Sequence, residues 1–158
     1  MTNQTNQPAE DTVIVTVVHT AFEDEPSIVA RVTCEGMDTE EALEYAYRWT
    51  NNIDGSWSKG ETMWVQETSR DEFNPDYNAD VERLGDFPDA GRGLLGIRST
   101  SPHDLMVVGS RIFTVASFGF EEIDYDLGND HSVWMMPRGH NIPIRDIVVD
   151  VATYQGAA

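Results

Sequence analysis

The sequence predicts an α+β fold: a mainly antiparallel sheet with one principal helix packed on it. Three observations carry this. A dense β-branched run spans Thr12 to Thr20. Asp38 and Glu41 form a capping-box pattern ahead of an amphipathic stretch. Gly109-Ser110 separates two apolar, β-rich runs as a two-residue hairpin turn. At 158 residues and 40% hydrophobic content, the chain is long enough to bury a real core. The expected organisation is a polar tail over 1–11 and one acidic domain over 12–158.

In chain order, Thr12 to Thr20 reads as a central strand because its apolarity is nearly continuous. Ser27 to Glu35 reads as a second strand paired with it, with a short helix over Pro26 to Ala30 as the alternative. The helix is expected over Thr39 to Asn51, burying Leu43, Ala46, Tyr47 and Thr50. Ser56 to Gly93 is the least regular region; its part rich in Asp, Asn, Pro and Gly, Arg70 to Gly93, reads as a long surface loop. Short strands are expected within the region at Met63 to Glu67 and Asp80 to Leu84. Ser101-Pro102 with Asp104 reads as a capped helical turn. A hairpin of Leu105 to Val108 and Arg111 to Phe118 follows, its second strand apolar on both faces. Glu121 to Asp130 reads as an acidic loop and Ser132 to Met136 as a strand. Ile144 to Tyr154 reads as a last strand by β-branched content. Ile144, Ile147, Val148 and Val151 also fit a helix.

Charge is the strongest global signal. Twenty-eight acids oppose ten basic residues, for a net −18. Such a chain repels phosphates and acidic lipid, so direct nucleic-acid and membrane binding are not expected. Three readings of the acidity stand: solubility in a high-GC or salt-rich host, mimicry of nucleic acid, and metal binding. Asp71, Glu72, Asp76, Asp80 and Glu82 in the long loop are the candidate interaction acids. The single cysteine, Cys34, excludes an internal disulfide and reads as a buried structural thiol. The first residues lack a basic region and an apolar core, so no secretory signal is expected, and a cytoplasmic location is.

Motifs for phosphate loops, dinucleotides, zinc proteases and serine hydrolases are absent from the sequence. No cofactor or metal site is read, since one Cys and four scattered His make a poor ligand set. Arg98, Ser99, Ser101, His103 and Asp104 offer a cation, hydroxyls and a base. Turn capping explains the same residues without chemistry. A lone His19 at the end of the first strand reads as an ordinary strand residue.

Arg98-Ser99-Thr100-Ser101-x-x-Asp104, then a hairpin, then Val115-Ala116-Ser117-Phe118-Gly119-Phe120, resembles the YodL-like domain. Leu43 to Asn52 is similar to the helix preceding that turn in small phage and plasmid proteins. The match runs from Thr39 to Phe120, with the acidic loop as an insertion. The resemblance implies an accessory protein of a phage or conjugative element, of a kind grouped with counter-defence functions. It brings no catalytic residues; Arg98, Ser99, Ser101 and Asp104 transfer as motif positions only. The expected function is non-enzymatic binding of a basic host or element-encoded protein, with acidic DNA mimicry as one form. A small metal-dependent hydrolase or nuclease using Asp104 and His103, or a virion or assembly protein, are the alternatives.

Overall fold

A computed structural model describes residues 12–88, 95–125 and 132–154. Its centre is an antiparallel sheet of six strands in the order β5-β2-β1-β6-β7-β8. β1 (Val13–His19) and β2 (Ser27–Cys34) form the first hairpin, with a register shift at Val17/Val18. β6 (Leu105–Val108) pairs with the other side of β1, placing Val17 opposite Met106. β7 (Arg111–Val115) returns from β6, and β8 (Phe120–Glu122) returns from β7. β5 (Val81–Arg83) closes the far edge against β2. The sheet confirms the α+β, mainly antiparallel expectation, with β1 central.

The period of two divides β6 and β7 between the two faces. Met106, Phe113 and Val115 join Val15, Val17, Ala30 and Val32 beneath helix α1 (Thr39–Trp49). Leu105, Val107 and Ile112 join Val18 on the opposite face, beneath α2 (Ile144–Thr153). The second strand of the hairpin is therefore covered on both sides, as its composition predicts. Leu105, Met106 and Ile112 have no exposed surface. Each contributes roughly 2 kcal/mol by burial.

Helix α1 starts where the sequence says it should. Asp38 Oδ1 accepts the Glu41 N–H at 2.8 Å, and the Glu41 carboxylate accepts the Asp38 N–H at 3.0 Å. Ala42, Leu43 and Ala46 are buried against the sheet. Cys34 lies under Ala42 with no exposed surface, and burial pushes its thiol up to about 11, an inert structural group. The hairpin turn also follows prediction. Gly109 takes φ 60 while Ser110 stays outside the left-handed region, as a type II′ turn requires.

Three expectations need correction. Ile144 to Tyr154 is not a strand; the helical alternative is what forms. Its apolar stripe of Ile144, Ile147 and Val148 is buried, while Asp146, Val149 and Asp150 face solvent. A strand would have buried Val149 as readily as Val148. Arg70–Phe73, read as part of a long loop, forms β4, which pairs with β3 (Thr62–Val65), the short strand expected at Met63 to Glu67, as a second sheet. Glu121 and Glu122, read as loop, belong to β8, and the strand before them stops at Val115. Of that acidic stretch, 126–130 lie outside the described residues, as does the tail over 1–11.

A third small sheet, β9 (Val133–Met135) with β10 (Asn141–Pro143), covers the α2 side. Its connecting turn brings Gly139 against the backbone of Asp24, where a Cβ would collide with the carbonyl group. Among the described residues, no helix is long and apolar enough to cross a membrane.

Candidate functional site

The Arg98–Asp104 segment folds as a closed turn rather than a capped helix. The Asp104 N–H donates to the Ser101 carbonyl at 3.0 Å, and the Ser101 N–H donates back to Asp104 Oδ2 at 2.8 Å. The predicted reach of the carboxylate to residue 101 is therefore present. The Ser101 hydroxyl points instead toward the Ser99 carbonyl. His103 takes φ 78, and its N–H starts the hairpin ladder by donating to Val115 at 2.9 Å.

Asp104 sits at the centre of a buried knot. Its carboxylate has no exposed surface. Oδ1 accepts the N–H groups of Thr20 at 2.8 Å and Ala21 at 2.9 Å, plus Arg98 Nη2 at 2.8 Å. Oδ2 accepts Ser101 N–H and Arg98 Nη1, both at 2.8 Å. Burial alone would raise this carboxyl's pKa. The Arg98 guanidinium and the backbone N–H groups outweigh burial and hold it below the ordinary carboxylate value.

Arg98 is saturated in turn. Nε and Nη2 grip Glu23 at 3.1 and 2.9 Å, Nη1 and Nη2 grip Asp104, and Nη1 also reaches the Ser99 carbonyl at 2.7 Å. All five guanidinium donors are thereby used. The Phe22 ring covers the cation at 4.9 Å. Ser99 ties this turn to α1, its hydroxyl accepting the Asn52 N–H at 2.8 Å beyond the end of the helix.

Sequence reasoning passed over two buried groups. His19 lies beside this knot, with Nε2 3.0 Å from Thr100 Oγ1, which in turn meets Thr50 Oγ1 at 2.8 Å. Burial lowers the His19 pKa to about 4 although Asp104 lies 3.9 Å away, so the imidazole is neutral at pH 7. The histidine near Asp104 is thus His19, from the other half of the chain; His103 is exposed. Only the β-branched strand signal around His19 was visible, and it gave no hint of the partner.

Asp76 is the second case. It was expected on the interaction surface and is instead fully buried. Its Oδ2 accepts three successive N–H groups, from Ile53 at 2.7 Å, Asp54 at 3.0 Å and Gly55 at 2.6 Å. Arg48 Nη2 approaches Oδ1 at 3.3 Å. Burial opposes ionisation here too, and the three N–H groups override it to lower the pKa. Asn74 braces the same loop, its amide bonding Ser56 and Gly60 carbonyls at 2.7 and 2.9 Å.

The other predicted acids are dispersed. Asp71 is exposed on β4 opposite Trp64, and Glu72 is half-buried and paired with Arg70. Asp80 accepts the Tyr45 hydroxyl at 2.7 Å, and Glu82 pairs with Arg31 at 3.0 Å. They lie on β4, on β5 and in the turn that precedes β5, and Asp80 and Glu82 are each engaged by a different partner. Among the described residues, no three His, Cys, Asp or Glu side chains gather to ligate a metal.

Three surface grooves accompany this frame. One of about 480 Å³ lies between the β3–β4 hairpin and β5, walled by Trp57, Trp64, Tyr77 and Phe87. Two of about 340 and 330 Å³ lie side by side between α1 and β8. None of the three is lined by Arg98, Ser99, Ser101 or Asp104. The chain matches no family model, no curated protein and no solved structure.

Proposed function

We propose that this is a non-catalytic binding protein that engages a basic protein partner through its acidic surface. The observation that carries the reading is saturation of the motif. Arg98 and Asp104 spend every donor and acceptor on each other, on Glu23 and on the backbone, leaving none for a substrate. The motif builds the domain, and the function is left to the surface. That surface belongs to a chain of net charge −18, which favours association with a basic protein and speeds it by steering.

Exposed acids stand over both faces of the sheet. Glu40, Glu41 and Glu44 lie on α1, and Asp146 and Asp150 lie on α2. This spread favours general steering over a single phosphate-like face as the form of the interaction. The setting in a phage or mobile element rests on the resemblance of Arg98–Asp104 and Val115–Phe120 to the YodL-like domain.

The test is capture from bacterial lysate by the immobilised protein at low and high salt. A basic protein retained at low salt and released at high salt is the expected result. Absence of any partner-specific band at low salt would overturn the reading. A protein that instead self-associates or co-purifies with particles would point to assembly.

A further inference from the structure

We infer that the free edge of β8 and the groove beneath α1 form a docking site for an extended, basic segment of a partner protein, which adds to the sheet as a seventh strand. The inference rests on the binding reading above and names the surface involved.

The backbone supplies the first part of the argument. Antiparallel ladders alternate, so residues exchanging hydrogen bonds with one neighbour point away from the other. The Ile123 N–H donates to the Ile112 carbonyl at 2.9 Å, making Ile112/Ile123 and Thr114/Glu121 the bonded pairs between β7 and β8. The N–H and C=O groups of Phe120 and Glu122 therefore point outward. Among the described residues, β8 has no strand on its outer side. An uncovered edge with two outward-facing residues is a template for strand addition.

Side chains supply the second part. Phe120 and Glu122 share the α1 face of β8. Phe120 meets Tyr47 edge-on at 6.1 Å between ring centroids. Glu40, Leu43 and Glu44 of α1 form the opposite wall of the groove. An added strand places every second side chain in this space, where Phe120, Tyr47 and Leu43 receive an apolar residue and Glu40 and Glu44 receive Lys or Arg. Charge also decides against a second copy of this chain as the occupant. Each copy brings a net −18, and two β8 edges centred on Glu121 would set that acid against its own copy.

Glu122→Pro separates the edge from the fold. The Glu122 N–H faces outward, so proline removes no backbone bond to β7 but blocks an added strand; it also frees Arg111 of β7 from its ion pair with the Glu122 carboxylate, and Glu122→Ala, which loses the same pair but keeps the N–H, is the control. The probe is a fluorescein-labelled peptide of alternating Lys and Val, compared with the same peptide N-methylated along one backbone edge. By fluorescence anisotropy, the native protein should bind the first at least about tenfold more tightly, the equivalent of two ordinary hydrogen bonds. Glu122→Pro should bind both equally weakly. Glu40→Lys with Glu44→Lys, which leaves the backbone intact, should weaken binding of the unmodified peptide and reduce its salt dependence.

Equal binding of the two peptides by the native protein would overturn the inference, since charge alone would then account for it. So would a native dimer that Glu122→Pro abolishes, which would make the occupant a second copy. If a partner captured from lysate binds Glu122→Pro as tightly as the native protein, the binding reading stands and the β8 site falls. If nothing is captured but the peptides discriminate as expected, the site stands and that reading falls.

Discussion

Replacing Asp104 with Asn changes one oxygen for an NH₂ group at nearly constant shape, and it tests the knot at its centre. If the amide nitrogen takes the Oδ2 position, it faces two donors, Ser101 N–H and Arg98 Nη1. In the other orientation it faces three, from Thr20, Ala21 and Arg98 Nη2. Either way Arg98 keeps only Glu23 as a charged partner. Removing one member of a buried, hydrogen-bonded pair typically costs about 3–5 kcal/mol. The expected loss is about 4 kcal/mol, against a total stability on the order of 5–15 kcal/mol for an ordinary domain. Urea unfolding followed by tryptophan fluorescence measures it, and the midpoint should fall without a change of slope. A loss below about 1 kcal/mol, the range of an exposed ion pair, would refute the argument that the knot holds the two halves of the chain together.

Further outcomes follow from the same geometry. His19 has its folded pKa depressed to about 4, so the unfolded chain binds a proton that the fold refuses. Stability should therefore fall by up to about 3 kcal/mol as pH drops from about 6.5 to 4, and His19→Gln should flatten the urea midpoint across that window. Asp76→Ala leaves three N–H groups of 53–55 without their acceptor and should cost about 3 kcal/mol, with faster amide exchange confined to that loop. Gly109→Ala meets no atom and pays only for φ 60, so a loss of about 1 kcal/mol in thermal or urea unfolding is expected. Gly139→Ala drives a Cβ into the Asp24 carbonyl and should destabilise more than Gly109→Ala, the order being the measured result.

Local signals were legible in the sequence where a few neighbouring residues decide the outcome. The Asp38/Glu41 capping box and the Gly109-Ser110 turn are complete within four residues, and both formed as read. The apolar face of α1 followed from its spacing. The α2 segment failed because β-branched content and helical spacing made opposite claims on the same residues. The covering sheet needs a stripe rather than a strand at that place, and tertiary packing decided. β3 was legible in part, as the short strand expected at Met63 to Glu67, while β4 escaped because a four-residue strand carrying Arg70, Asp71 and Glu72 has no periodicity to detect. The knot was half visible. Asp104 reaching back to residue 101 is local, while Thr20, Ala21, His19 and Glu23 come from the far end of the sequence. Asp76 looked like one more surface acid, because nothing beside it announces the three N–H groups it serves.

The position of β1 between β2 and β6 has a consequence for how the chain is made. During synthesis β1 and β2 can pair as soon as they emerge. The other edge of β1 finds no partner until Leu105–Val108 follow, just over half the chain later. Over that interval Val15, Val17 and Val18 border an open ladder, a template for pairing between nascent chains. The surplus of negative charge, already present in Glu23 to Glu25 and along α1, keeps such intermediates apart by repulsion. The acidity that would steer a basic partner to the finished protein thereby also guards its unfinished central strand.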